Sequence, residues 1–267
     1  MLTFKWKSAK YIKNLFDLME PFFDEATFKA TQEGIYLSQM DSSRIAMIEL
    51  NLPKTYMEEW NPENCFFKVD ISRMKKLVLK NISLKGQVKF QVGDTVLDRR
   101  IFVTLGNGYE TTFSDVLLPT KEEEFVDNVK LDMKPPCSSF RISTKLISEV
   151  FQNIDDGADK VLIKTDPLEV TLEQIHETTK TTVKLKKSEL IEFDGVELRS
   201  YFSPSYLKAF MDHIGKLTDE VKVELKDDFP LKISADLALM PSLDSPSPLE
   251  IGTLVFWLAP RIELDET

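Results

Sequence analysis

Chemically versatile side chains are scarce in this chain. In 267 residues there are two cysteines, Cys65 and Cys137, and two histidines, His176 and His213. The cysteines stand alone and far apart, which supports neither a disulfide framework nor a zinc site and fits reduced thiols in an intracellular protein. His176 lies in a strand-like segment and His213 in a helical one, and neither has a second ligand at metal-binding spacing. No apolar run approaches the ~20 residues that span a bilayer. The start, MLTFKWKSAKYIKN, is basic but lacks the unbroken apolar stretch of a signal peptide. In a cytoplasmic chain the sequon Asn81-Ile82-Ser83 carries no meaning. Gly106-Asn107-Gly108 has two glycines but no helix after it and no Lys-Ser/Thr, so it reads as a hairpin turn rather than a phosphate cradle. No pairing of nucleophile and base is readable, although carboxylates brought together from distant strands would be invisible. The expectation is no catalytic residue, no cofactor, no metal and no membrane partner.

What is present is ordinary globular material, 42% hydrophobic and 29% charged. The net charge is −10, from 44 acidic against 34 basic residues, which argues against a chain that coats itself onto nucleic acid. A sum does not say where the charges sit, and here position matters more.

Periodicity gives the organisation. Ile12, Leu15, Phe16 and Met19 mark one face of a helix that Pro21 ends, with Lys10, Lys13, Asn14 and Asp17 opposite. A meander follows from Asp24 to Pro53, with a turn at Gln32-Glu33-Gly34 and a break at Ser42-Ser43. A second helix is predicted over 71–82, with Asp70 or Ser72 as its N-cap, Ile71, Met74, Leu77, Val78 and Ile82 inward, and Arg73, Lys76 and Lys80 as a stripe outward. Strands are predicted over 88–92, 100–105 and 109–116. Residues 117–129, with Pro119 and the run Glu122-Glu123-Glu124, read as a connector, because the earlier order then begins again. A third helix carries Leu146, Ile147, Val150, Phe151 and Ile154, and a fourth opens at Pro204 and buries Leu207, Phe210, Met211 and Ile214. Strands accompany both, and the proline-bearing stretch 237–252 reads as a long exposed loop. Ile12 and Leu146 stand 134 positions apart, Met74 and Leu207 133, and the turn residues Thr31 and Thr165 134, each about half the chain. This is a duplicated α+β chain, divided as 1–116, a connector at 117–130, and 131–267.

The basic residues concentrate on the helices. Lys10, Lys13, Arg73, Lys76, Lys80, Lys145, Lys208 and Lys216 lie on or beside the faces opposite the apolar stripes. Any amphipathic helix puts lysines outside, so singly each is unremarkable. The acids Glu58, Glu59, Glu63, Glu122 to Glu124, Asp155, Asp156 and Asp159 fall instead in predicted loops or connectors, with Asp17, Glu149 and Asp212 as exceptions on helices. If the four helices share a surface, that surface is basic and suited to duplex phosphates without base contacts.

Several blocks resemble one family. DEATFKA, EGIYL and MDSSRI within 24–53, RSYFSPSYLKAF at 199–210, FPLKI at 229–233 and VFWLAPRIE at 255–263 are together similar to the PCNA-type DNA sliding clamps, over essentially the whole chain. The resemblance implies a trimeric, pseudo-sixfold ring of duplicated clamp domains, each with two helices packed on antiparallel sheets. The helices line a hole for double-stranded DNA, and the chain is not an enzyme. It implies a pocket for short peptides of DNA polymerase, clamp loader, flap nuclease and ligase. The matching positions are Met40, Arg44, Ile45, Pro230, Leu231, Trp257, Ala259, Pro260 and Ile262, with Leu118, Phe125 and Val126 of the connector beside them. Taken alone, Met40 and Ile45 serve equally well as core. It further implies subunit pairing between the strand of Tyr109, Thr111 and Phe113 and that of Thr179, Thr181, Val183 and Leu185, in a homotrimer or with sister subunits. The location would be cytoplasmic in an archaeon or nuclear in a eukaryote. A checkpoint-type clamp, a peptide scaffold that does not encircle DNA, and an enzyme built from distant residues are the alternatives.

Overall fold

The computed structural model describes residues 2–6, 9–62, 64–77, 80, 87–92, 100–106, 110–118, 125, 131, 133–152, 158–237 and 251–262. Its elements repeat in order. The first series is β1 (Leu2–Trp6), α1 (Ala9–Met19), β2 (Glu25–Ala30), β3 (Gly34–Met40), β4 (Ala46–Pro53), a 3-10 turn at Lys54–Tyr56, β5 (Met57–Asn61), β6 (Cys65–Asp70), α2 (Ile71–Leu77), β7 (Gln87–Val92), β8 (Arg100–Gly106) and β9 (Glu110–Val116). The second is β10 (Ser138–Ser143), α3 (Thr144–Gln152), β11 (Lys160–Thr165), β12 (Glu169–Ile175), β13 (Lys180–Lys186), a 3-10 turn at Lys187–Glu189, β14 (Glu192–Asp194), β15 (Leu198–Phe202), α4 (Pro204–Ile214), β16 (Glu220–Leu225), β17 (Leu231–Leu237) and β18 (Gly252–Leu258). Strand for strand and helix for helix, the two series match.

Two compact units result. Unit 1 comprises 1–42, 48–128 and 237–254, and unit 2 comprises 43–47, 129–236 and 255–267. Each unit therefore borrows a short segment from the other half of the sequence. In unit 1, α1 buries seven of its eleven residues, Ile12, Leu15, Phe16 and Met19 among them. Asn14 is buried too, against the outward position its spacing predicts, because the covered face of this helix is wider than one stripe. The Asp70 carboxylate accepts the Arg73 N–H at 2.8 Å and so caps α2. That helix is described over Ile71–Leu77 and Lys80 is in a 3-10 conformation, while Val78 and Ile82 of the predicted 71–82 lie outside the described residues. A five-stranded antiparallel sheet of order β5-β1-β7-β8-β9 belongs to this unit. Unit 2 holds a four-stranded sheet, β13-β12-β11-β15, and the helices α3 and α4. Its core includes Ile147, Phe151, Leu207 and Ile214, and Phe210 stacks on Phe256 with ring centroids 4.3 Å apart. Ile154, Val126 and residues 238–250 fall outside the described set. Strands β4 and β18, each shared by both units, are neighbours in the remaining sheet.

Two of the acids expected in loops sit in a strand instead. Glu58 and Glu59 are exposed positions of β5, where they pair with Lys5 at 2.9 Å and Lys89 at 2.8 Å. The acid–base segregation is thus less complete than the sequence suggests, because sheet surfaces carry cross-strand ion pairs of both signs.

Candidate nucleic-acid interface and docking surfaces

The helix-borne cations divide into engaged and available groups. Lys75 of α2 reaches back to α1, bonding Asp17 at 2.8 Å and Glu20. Partial burial works against its charge, but the hydrogen bonds it donates to Asp17 and Glu20 outweigh it and hold the ammonium above the ordinary lysine pKa. Arg73 is also engaged, its Nη2 lying 2.5 Å from Asp115 Oδ1 on β9. Lys208 pairs with Asp212 one turn along α4 at 3.5 Å, and Lys216 lies 3.4 Å from His213 Nδ1. By contrast Lys10, Lys76, Lys80 and Lys145 are exposed, Lys13 is half-buried, and these five have no carboxylate partner among the described residues. Four of the five belong to unit 1. Such a set can neutralise phosphates but reads no bases.

The predicted peptide-pocket residues separate by unit and by exposure. In unit 2, Arg44 takes a left-handed backbone (φ 57°) that turns the chain into Ile45, whose carbonyl accepts the Ala259 N–H at 2.8 Å. Arg261 N–H donates to the Tyr201 carbonyl at 2.7 Å, which fixes the tail so that Ile262 stands 77% exposed. Ile45 is exposed, and Pro230, Ala259 and Pro260 are half-buried. Leu231 and Trp257 are 1% and 5% exposed, so their side chains pack in the core of the unit. Inward alternation in β17 accounts for Leu231, and Lys232 covers the Trp257 ring at 5.5 Å. In unit 1, Met40 is exposed, and the connector is anchored at two points. Leu118 N–H bonds the Lys68 carbonyl at 3.1 Å, and Phe125 meets Phe66 edge-on at 5.7 Å with the Lys29 ammonium 5.3 Å from its ring.

Two sheet ends carry the predicted subunit contacts. β9 terminates the five-stranded sheet and β13 the four-stranded one. On β9, Leu105, Val103 and Ile101 of β8 stand opposite Thr111, Phe113 and Asp115, so these three share the inward face. On β13, Leu185, Val183 and Thr181 stand opposite Val170, Leu172 and Gln174 and are inward too. Leu185, 4% exposed, is already packed within unit 2, Val183 is half-buried, and Thr179 and Thr181 are exposed. Tyr109 lies outside the described residues.

The cavity in unit 1 is lined wholly by apolar side chains, among them Phe4, Ile12, Phe28, Leu50 and Met74. No group of three metal-ligating side chains occurs among the described residues. No described helix is long and apolar enough to cross a membrane.

Sequence reasoning missed the use of Arg73 and Lys75 as internal ties, and it missed Glu173. This carboxylate, 8% exposed, sits between Lys164 at 3.0 Å and Lys180 at 2.7 Å on β11, β12 and β13. No signal in the sequence marks these pairs, since they join strands whose register is not known beforehand.

Paired helices backed by antiparallel sheets, repeated once within a single chain, define the DNA-clamp fold. Solved structures share it: the PCNA2–PCNA3 complex of Sulfolobus tokodaii aligns at a TM-score of 0.82 with 23% identity, covering 97% of this chain and 99% of that one. PCNA from Thermococcus kodakaraensis aligns at 0.80 with 21% identity, over 98% and 100%. Among sequences, the "DNA polymerase sliding clamp" of Thermococcus gammatolerans is 28% identical over 269 residues, 96% of each chain. That of Pyrococcus abyssi is 26% identical over 97% of each. Residues 1–107 match the family described as proliferating cell nuclear antigen, N-terminal domain. Residues 1–107 are thus similar to that family, and the chain as a whole shares the fold of these solved structures.

Proposed function

We propose that this chain is a DNA sliding clamp. Copies of it, or sister subunits, join head to tail into a trimeric ring around duplex DNA and tether the replicative polymerase. The observation that carries the reading is a seam within the chain. β18 and β4 are neighbours, and their counterparts in the repeat, β9 and β13, each end a sheet. Pairing β9 of one copy with β13 of the next would reproduce the internal seam and satisfy two open edges at once. The available cations Lys10, Lys13, Lys76, Lys80 and Lys145 then serve as a lining that holds phosphates loosely, which permits sliding. The role is non-enzymatic, since encirclement rather than tight contact provides processivity.

Exposed Ile45 and Ile262, with Pro260, would take the apolar side chains of partner peptides on unit 2. Polymerase, clamp loader, flap nuclease and ligase are the partners proposed for this surface. The archaeal relatives support a place in an archaeal cytoplasm, where the genome lies. A second arrangement, with sister subunits in place of identical copies, draws support from the solved complex of two different clamp chains in Sulfolobus tokodaii.

Light scattering over a concentration series, with and without primed circular DNA and a clamp loader, tests the proposal. The expected outcome is a trimer that is retained on circular DNA and runs off linear DNA, with retention lost when Lys76 and Lys80 are both changed to Glu. A wild-type chain that runs off circular and linear DNA alike would sink it.

A further inference from the structure

We infer that Lys75 is a positioning residue for DNA rather than a phosphate contact: it occupies the two carboxylates at the end of α1, Asp17 and Glu20, and so leaves the neighbouring lysines to the duplex. This rests on the proposed reading of the helix cations as a lining.

Asp17 stands where an acid works against that lining. It is four residues beyond Lys13 and seven beyond Lys10, which puts all three on one face of α1. On such a face the Cβ atoms of Lys13 and Asp17 lie within about 6 Å, close enough for the two side chains to pair. Glu20 follows seven residues after Lys13, and its N–H still bonds the Phe16 carbonyl at 3.0 Å, so it prolongs the same face. At separations within the Debye length, about 10 Å at 0.1 M salt, unpaired carboxylates oppose phosphate and compete for the same ammonium groups. The fold gives these two a different cation. Lys75 Nζ lies 2.8 Å from Asp17 Oδ1 and is bonded to Glu20 as well. It comes from α2, where it is half-buried while the adjacent Lys76 is exposed.

The sum of charges decides the direction of the effect. With Lys75 in place the group of Asp17, Glu20 and Lys75 carries −1, and without it −2. Asp17 then faces Lys13 as the next cation along its own helix. Loss of Lys75 therefore removes more from the lining than one ammonium, because Lys13 is drawn toward an acid and away from phosphate. Lys75 is itself badly placed to touch DNA, with its side chain 23% exposed and turned onto two carboxylates. In α4, Lys208 meets Asp212 at 3.5 Å in the same manner, though more openly, since that acid is 44% exposed. Asp17 and Asp212 are two of the three helix acids that break the segregation of charge in the sequence. Each is matched by a helix lysine, so the segregation holds for the field that a duplex would meet.

The test is a double-mutant cycle on duplex affinity, read by the anisotropy of a short labelled duplex over a salt series. Its members are the wild type, Lys75→Met, the acid pair Asp17→Asn with Glu20→Gln, and all three changes together. Circular dichroism confirms that each chain is folded. Lys75→Met should bind at least about fivefold more weakly at low salt, because it leaves two carboxylates unpaired beside Lys13. Neutralising the acids should raise affinity by less than about twofold when Lys75 is present and by at least about fivefold when it is absent. A direct phosphate contact gives the opposite sign, because freeing Lys75 from its acids would strengthen binding most where Lys75 is present. That result overturns the inference, as does an equal effect of the acids in both backgrounds, and in either case the clamp reading stands. If Lys75→Met alone does not fold, the triple variant against the acid pair decides. Affinities within about twofold of each other support masking, and a larger loss in the triple variant overturns it. A wild type that binds no duplex even at low salt overturns the lining, and the inference with it.

Discussion

In unit 1 the two helices are tied by charge: the Lys75 ammonium of α2 lies between Asp17 of α1 and Glu20 just beyond its end. In unit 2 the equivalent helices are tied by hydroxyls. Ser148 of α3 donates to the Met211 carbonyl of α4 at 3.3 Å, and Thr144 donates to the Thr218 carbonyl just beyond α4 at 2.9 Å. The hairpins differ in the same spirit. In unit 1 the β2–β3 turn closes with Thr31 N–H on the Gly34 carbonyl, and a Cβ on Gly34 would lie 2.2 Å from the Leu52 carbonyl oxygen, so only glycine fits. In unit 2 the β11–β12 turn needs no glycine, because Asp166 Oδ1 accepts the N–H groups of Leu168 and Glu169 at 2.7 and 3.0 Å. One fold tolerates different local chemistry provided each backbone group finds a partner. The two units should accordingly respond differently to the same perturbation.

The largest predicted effect removes the aromatic stack of unit 2. Phe210→Ala deletes a side chain that is 0% exposed and stacked on Phe256, and should cost about 3–5 kcal/mol. Hydrogen exchange should show α3, α4 and β18 losing protection well before β7 and β8, and uniform loss would mean that the units do not respond separately. Next comes the ionic tie. Lys75→Met leaves Asp17 and Glu20 together without their cation and should cost about 1 kcal/mol at low ionic strength, falling as salt screens the pair. Equal salt responses of the α1–α2 and α3–α4 amides in the wild type would contradict the contrast drawn here.

The smallest effect concerns acid. Burial of Glu173 works to raise its pKa, but hydrogen bonds from Lys180 and Lys164 prevail and hold the carboxyl below the ordinary glutamate value. A depressed carboxylate contributes stability that is present above its unfolded pKa and lost as pH falls through the folded value. Unit 2 should therefore weaken below about pH 4.5. Glu173→Gln should flatten that acid limb by less than about 1 kcal/mol, and an unchanged limb in urea titrations at successive pH values would show that other carboxylates set it.

Legibility in the sequence followed the physics of each segment. α4 was readable because Pro204 opens it and four apolar residues mark its face. The repeat was readable because helix faces and turns recur at a fixed interval. β1 and β10 were not: LTFKW and SSFRIS are short and interrupted by Lys5 and Arg141, and only their partners make them strands. Which side of a strand faces inward cannot be read until the sheet is known, and so the burial of Leu231 and Trp257 was not legible. Arg73 and Asp115 are 42 positions apart, and no local pattern announces such a pair. The basic helices were legible as a class, while the division into engaged and available cations was not.

The sheet ends β9 and β13, proposed above to pair between copies, are unlike each other, and in that ring each would complete the other. In a closed head-to-tail ring every member must offer both, so a single copy with one damaged edge adds to a growing assembly and then stops it. Lesions at β9 or β13 would therefore act dominantly in a mixture with intact chains, whereas lesions on the helix faces would merely be diluted.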